Sequence, residues 1–232
     1  MAIGRAEDGW VRTRWWWIRH APVRGHGGRI YGQSDLGCDC GDATTFASLA
    51  RALPREAVWV TSHLKRTHQT AAAIVAAGLP GPAAFPGPGV IELPELAEQH
   101  LGEWQGLERA AFFRNRDLSP GNVWFAPAHE RAPGGESFAD VVDRVRGAVE
   151  RITASHVGRD IIAVAHGGTV RSALAVALDL EPAKALAFAI ENCSITRLDH
   201  IAAPNGAGWR VAMVNHQPWR GEPGATKQGS EA

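Results

Sequence analysis

The chain has 232 residues, 45% hydrophobic and 21% charged, which is ordinary for a globular protein and enough for one domain with a substantial core. Its 24 basic residues balance 24 acidic ones, so net charge is zero and no concentrated basic face points to a nucleic-acid backbone. Three cysteines make no even disulfide framework, and Cys38-x-Cys40 is too tight for the usual zinc spacing.

Trp15 to Ile18 reads as a buried strand that stops at Arg19-His20. Residues 43–53 read as a helix and Ala57 to Thr61 as a second strand. An Ala-rich helix over 65–77 ends at Gly78-Leu79-Pro80, a strong stop, and residues 78–89 are turn punctuation. Val90 and Ile91 form a short strand. Residues 107–132 read as irregular, with a short helix around Phe112 and a loop through Ser119-Pro120-Gly121-Asn122. Ser137 to Val157 is the clearest helix. Phe138, Val141, Val142, Val145, Val149 and Ile152 make one apolar stripe, and Ser137 with Asp140 resembles a capping box. Asp160 to Ala165 is the best buried-strand candidate, followed by a helix from about Thr169 to Leu178. Strands near Ser194–Leu198 and Arg210–Val214 close the domain, and the polar tail from Pro218 is expected to be disordered. Neither an internal repeat nor a second domain is visible. Strands alternating with helices predict an α/β layer fold around a mostly parallel sheet.

Two strands end alike, as Ile18-Arg19-His20-Ala21 and Ala165-His166-Gly167-Gly168. In open α/β sheets, ligand sites gather at the carboxyl ends of strands, so both histidines can converge on one pocket. Each alone also fits a structural hydrogen-bonding histidine; the conjunction carries the case. The segment Thr61 to Ala71 puts Arg66 in the first turn of a helix. A bound anion would suit both that arginine and the helix dipole, the alternative being a solvated surface arginine. Glu95 to Gly106 mixes acids, glycines and Trp104, which suits a loop wrapped over a pocket. Pro133-Gly134-Gly135-Glu136-Ser137 is the turn that launches the long helix.

Taken in chain order, the five segments resemble the histidine phosphatase, or phosphoglycerate-mutase-like, superfamily. Arg19-His20-Ala21-Pro22 resembles its signature, usually Arg-His-Gly; Ser62 through Ala71 resembles its second arginine motif, and Glu98 through Gly106 its acid-bearing segment. Pro133 through Ser137 and Ala165 through Gly168 also match, and the resemblance covers about residues 15–216. It implies a three-layer α/β/α sandwich with a mostly parallel sheet, built as a single domain over residues 1–217. It implies that His20 is the nucleophile that becomes phosphohistidine, with Arg19, Arg66 and His166 around the phosphoryl oxygens. It further implies Glu98 as general acid and then general base, with no metal and no cofactor. Glu95 and Glu103 compete for the acid role; the motif register selects Glu98. His63 stands where the family commonly has proline, and His26 where it often has a polar residue; no role is carried onto His26. The Asn192-Cys193-Ser194 turn reads as structural.

Phosphatase is favoured over mutase. Glu98-Gln99-His100-Leu101 lacks the Glu-Arg-x-Tyr typical of cofactor-dependent phosphoglycerate mutases. The mutases' paired arginines have no clear counterpart, although Arg114 and Arg116 lie in the lid-like segment. Gly102-Glu103-Trp104-Gln105-Gly106 looks most like α-ribazole-phosphatase-type members. Phe112, Phe113, Trp124 and Phe125 either line a pocket for the leaving group or pack a lid onto the core. The N-terminus is too polar for a signal sequence, and Trp15 to Ile18 is too short to span a bilayer. The expectation is a cytoplasmic, metal-independent hydrolase of a small phosphorylated metabolite, without nucleic-acid or membrane partners and with homo-oligomerisation left open. Mutase-type transfer and a low-activity phosphate-binding regulatory protein are the alternatives; a pure binder would not need the acid.

Overall fold

The computed structural model describes residues 9–114, 116 and 124–220. One sheet is formed by β1 (Val11–Arg19), β2 (Val58–Thr61), β3 (Val90–Glu92), β4 (Asp160–Ala165), β5 (Ile195–Ala203) and β6 (Gly206–His216). Its strand order is β3-β2-β4-β1-β5-β6. The first four neighbours pair in parallel, whereas β5 runs antiparallel to both β1 and β6. The sheet is therefore mostly parallel, as expected.

Alternation along the central strands builds the two faces. Ile161, Ala163 and Ala165 of β4, with Trp15 and Trp17 of β1, pack under α4 (Phe138–Ser155) and α5 (Gly167–Leu178). Ile162 and Val164, with Ile18, pack instead against α1 (Ala43–Ala52) and α2 (Lys65–Ala76), through Phe46, Leu49, Ala71 and Ile74. A layer of helices thus covers each face, the expected three-layer sandwich. Trp15 and Trp17 stack with ring centroids 4.9 Å apart, and the Trp15 indole N–H donates to Thr153 Oγ1 at 2.9 Å. That bond satisfies the polar edge of a fully buried indole. The expected capping box at the start of α4 is present: Asp140 N–H donates to Ser137 Oγ, and the Asp140 carboxylate accepts from Ser137 N–H.

Several boundaries differ from the sequence reading. β1 starts at Val11, because its first half zips against β5 from Val11↔Ala202 to Ile18↔Ile195. Long antiparallel pairing with half-exposed polar residues carries no buried-strand signature. α5 begins at Gly167, directly after His166, rather than near Thr169. A Gly-Gly pair reads as a breaker, yet both glycines are buried within the first turn. Short helices α3 (Arg109–Arg114), where Phe112 was expected to be helical, and α6 (Pro182–Ala185) complete the described helices. The loop expected through Ser119-Pro120-Gly121-Asn122 lies outside the described residues. So does the tail from residue 221, whereas Trp219, assigned to that tail, packs against the α1/α2 core.

Candidate active site

β4 lies between β1 and β2, so the carboxyl ends of all three strands meet. His20 follows β1, Ser62 follows β2 and His166 follows β4; the His20 N–H donates to Ala165 O at 2.9 Å. The two imidazoles sit edge to face, with centroids 5.1 Å apart. His20 is 1% exposed, and His166 and Arg66 are fully buried.

The orientation of His20 follows from its neighbours. Its Nδ1 lies 2.7 Å from Ala21 O, which can only accept, so Nδ1 carries the proton and Nε2 the lone pair. That Nε2 is buried with no hydrogen-bond partner. Ala21 N–H donates to Thr70 Oγ1 at 2.9 Å, and the Asn192 amide donates to His20 O at 2.7 Å. Burial, then the Arg66 and Arg19 charges, holds the His20 pKa well below the usual histidine value of 6.5. His166 is lowered likewise, by burial and then by Arg66.

Arg66 is no surface residue. Its Nε donates to His166 Nδ1 at 3.3 Å, its two terminal nitrogens to Ser34 O and Gly32 O at 2.9 and 2.7 Å. One N–H remains on each terminal nitrogen. With Nδ1 accepting, His166 donates through Nε2 to Ser62 Oγ at 2.8 Å. Both nitrogens of His166 therefore have protein partners. His166 and Arg66 brace the floor of the site, and they and His20 all lie just behind the accessible pocket wall.

That pocket, about 220 Å³ in volume, adjoins the buried layer through Arg19, Gly32 and Gly167. Arg19 donates to Ile190 O through one terminal nitrogen, while its buried Nε has no partner. Glu98 also faces the pocket, and its Oε1 accepts from the Gly168 and Gln99 N–H groups at 3.0 and 3.1 Å. A carboxylate on the first turn of α5 is favoured by the helix dipole. Gly168 leaves room for this contact, because a Cβ there would meet Glu98 Oε1 and push the carboxylate aside. The competing acids point elsewhere: Glu95 pairs with Arg151 at 2.8 Å, and Glu103 is outside the pocket lining.

The turn Pro133–Ser137 has a specific task. Glu136 accepts from His100 N–H and from Arg144, and its backbone O accepts from the Gln99 amide. Arg144 of α4 in turn donates to the carbonyls of Glu95, Ala97 and Glu98. One arginine thereby holds the stretch that carries Glu98.

Sequence reasoning missed three pocket arginines. Arg171, one turn along α5 from Gly167, donates to Phe188 O at 2.8 Å and lies over Trp124; burial lowers its pKa to about 10. An arginine within an otherwise apolar, Ala-rich helix was the available signal. Arg29 stands on a facing loop and Arg109 at the start of α3, where Arg29 donates to Gly106 O and Arg109 lies over the Phe113 and Phe125 rings. Trp124, Phe125 and Tyr31 also line the pocket, whereas Phe112 packs on Trp104, so the aromatics divide between the two roles expected for them. His63 is exposed, and His26 lies against Tyr31; neither is in the pocket lining.

A profile of the histidine phosphatase superfamily (branch 1) matches residues 15–217. The chain belongs to that superfamily. Among its relatives, the metal-independent phosphoserine phosphatase of Arabidopsis thaliana is 32% identical over 67% of this chain. The match spans 64% of that protein, and likewise 65% of a 2,3-bisphosphoglycerate-dependent phosphoglycerate mutase of Gloeobacter violaceus, so the chain covers just under two thirds of each. A probable phosphoglycerate mutase of Serratia proteamaculans is 27% identical over 84% of this chain and 88% of its own length. In structure, a mycobacterial glucosyl-3-phosphoglycerate phosphatase superposes with a TM-score of 0.71 at 27% identity, covering 88% of this chain and 99% of that one. Among the described residues, no helix is long and apolar enough to cross a membrane.

Proposed function

We propose that this protein hydrolyses small phosphomonoesters without a metal, through a phosphohistidine at His20. The observation that carries the reading is the bare, buried Nε2 of His20, held in the nucleophilic tautomer by Ala21 O and kept neutral at neutral pH. Nε2 attacks phosphorus, the ester P–O bond breaks, and the departing oxygen takes a proton from Glu98. Water then attacks the phosphohistidine while Glu98 accepts its proton, releasing inorganic phosphate. Arg19, through its unpartnered Nε, and Gly167 at the start of α5 receive the phosphoryl oxygens. Arg66 adds fixed positive charge, and with the neutral His166 it holds the floor in place. Guanidinium charge stands in for a metal clamp, and the Arabidopsis relative carries metal independence in its name.

Among the described residues, the pocket holds Arg19, Arg29, Arg109 and Arg171 against one carboxylate, that of Glu98. A phosphate dianion leaves positive charge uncompensated, which favours leaving groups bearing a further anionic group. Phosphoserine and glucosyl-3-phosphoglycerate, the esters in the names of two relatives, both carry a carboxylate. Mutase chemistry is disfavoured because Arg114 and Arg116 are turned to Glu108 and Glu130 rather than to the pocket.

The test is hydrolysis of p-nitrophenyl phosphate in EDTA, with vanadate inhibition and acid quench. Turnover undiminished by chelation and an acid-labile phosphoryl group on His20 are expected. Activity restored only by added metal, or an adduct on another residue, would sink the mechanism. With 3-phosphoglycerate and a trace of 2,3-bisphosphoglycerate, efficient isomerisation without phosphate release would reinstate the mutase.

A further inference from the structure

We propose that Cys38 and Cys40 are an oxidisable dithiol, which a hydroperoxide closes into a disulfide that displaces the segment after His20 and slows turnover. The sulfurs lie 3.6 Å apart, and both residues are half-buried. An open groove lined by Gly41, Phe46 and Ala73 reaches Cys40 from solvent.

The pair is strapped to the catalytic layer on two sides. Cys38 bridges antiparallel to Val23, and the Asp39 N–H donates to Pro22 O at 2.8 Å, which ties the dithiol to the chain leaving His20. On the other side the Cys38 thiol donates to Arg66 O at 3.3 Å and lies 3.5 Å from Thr70 Oγ1. Thr70 Oγ1 is the acceptor for Ala21 N–H, so one hydroxyl touches both the thiol and the residue that orients His20. Bonding the sulfurs removes the Cys38 donor from Arg66 O and draws the 38–40 turn inward. The segment after His20 and the first turn of α2 then shift with it.

The thiols are unequal. A hydrogen bond from Cys40, helped by Thr70 and Arg66 against the effect of burial, lowers the Cys38 pKa to about 7; Cys40 is raised by the same bond and by burial. Buried Cys193 is pushed up to about 12 by desolvation. Cys38 is therefore the attacking thiolate and Cys40 the resolving group. The Cys38 thiolate attacks a peroxide oxygen, the O–O bond breaks, and the released alkoxide or hydroxide is protonated, leaving a sulfenic acid. Cys40 sulfur then attacks Cys38 sulfur, the S–O bond breaks, and the departing hydroxide takes the Cys40 proton as water. Two thiols and one hydroperoxide give one disulfide, water and the corresponding alcohol or a second water. Excess small thiol reverses this by exchange.

The bridge is independent of the hydrolase reading, on which only its coupling to turnover rests. The experiment treats the full chain with hydrogen peroxide and follows intact mass, peptide mapping, amide hydrogen exchange and p-nitrophenyl phosphate turnover. Wild-type protein should lose two hydrogens and give one peptide linking Cys38 to Cys40. Exchange at Ala21 and Asp39 should accelerate. Turnover should fall at least about tenfold, since displacements near 1 Å can cost 10². Dithiothreitol should restore all three. Cys40→Ser should stop at a dimedone-reactive Cys38, Cys38→Ser should resist the same peroxide dose, and both should keep the turnover of the reduced wild type. Intact thiols after excess peroxide, or a bridge that includes Cys193, would overturn the proposal. A bridge with unchanged exchange and turnover would overturn the coupling. A reduced protein that hydrolyses no phosphoester would remove the hydrolase reading, while mass and exchange still decide the dithiol.

Discussion

Glu98 is the residue whose geometry makes the sharpest demand on the chemistry. It faces the pocket while its Oε1 rests on two backbone N–H groups. Glu98→Gln keeps the size but cannot exchange a proton. With p-nitrophenyl phosphate the leaving group needs no acid, so His20 should still be phosphorylated, but dephosphorylation should slow by about 10²–10⁴. Rapid quench should therefore show a burst of nitrophenolate and a phosphoryl adduct on His20; steady turnover without a burst would move the acid elsewhere. His20 itself sets the pH response. Because its folded pKa is lowered well below 6.5, it stays unprotonated at neutral pH, and its own protonation should lower kcat/KM only on the acid side of that value. The same shift bears on stability: below about pH 6.5 the unfolded chain takes up protons that buried His20 and His166 refuse, so stability declines as pH falls through that window. A profile whose acid limb lies at or above 6.5 would contradict this neutral buried pair. Arg66→Lys should cost activity by about 10²–10³, since one ammonium cannot hold Gly32, Ser34 and His166 in place together as the guanidinium fork does.

At the scale of elements, the 95–103 segment has only short 3-10 turns at its ends, yet side chains from other elements tie its backbone down. Arg144 reaches three of its carbonyls, Thr169 Oγ1 lies 3.0 Å from the Leu96 and Ala97 oxygens, and Gln33 donates to Glu98 O. Gly102 packs so closely on the 133–135 turn that a Cβ on it would overlap Pro133 O, and its φ of +46° independently favours glycine. Arg144→Ala should leave the pocket chemistry intact but loosen Glu98, lowering kcat more than it changes KM for p-nitrophenyl phosphate. Equal kinetics in the two proteins would mean that the loop holds its place without the arginine. This clamp was only partly legible in the sequence. The Pro133–Ser137 turn stood out, and so did α4, whose apolar period and cap are local properties of the chain. Arg144 did not stand out, because from the sequence it is one charged residue on an amphipathic helix, and its acceptors lie in a distant loop. Histidines at strand ends were readable for the opposite reason: a buried hydrophobic run that halts on a polar side chain advertises where it stops. Arg29 and Arg109 carried no such mark, since exposed surface arginines are common.

Across the whole molecule, a chain of zero net charge concentrates four arginines at one opening, and that local excess sets the expected substrate preference. Arg109→Ala should raise KM for a phosphoester carrying a carboxylate several-fold more than KM for p-nitrophenyl phosphate. An equal change for both would return Arg109 to its aromatic neighbours as a packing residue. The outer sheet has its own ion cluster, where fully buried Asp199 accepts from Arg197 and Arg210 and lies 3.9 Å from Arg12. Asp199→Asn leaves those guanidinium groups unbalanced and should cost about 2 kcal/mol or more, less than for a wholly buried pair because Arg210 is half exposed. Thermal melting should register it as a drop of about 5 °C or more, and an unchanged transition would make the cluster dispensable.

The position of β1 has a consequence for how the chain reaches this state. Both partners of β1, β4 and β5, come from the last third of the sequence. A nascent polypeptide emerging from the ribosome therefore presents Trp15-Trp16-Trp17-Ile18 long before either neighbour has been synthesised. Unpaired hydrophobic strands of that kind are adhesive, and closing so long a loop is slow. Chains released before residue 160 should aggregate or be held by chaperones, while release after residue 203 should give soluble product, a contrast that stalled-ribosome fractionation can measure. Biogenesis, rather than finished stability, is where this tryptophan-rich strand leaves the protein most vulnerable.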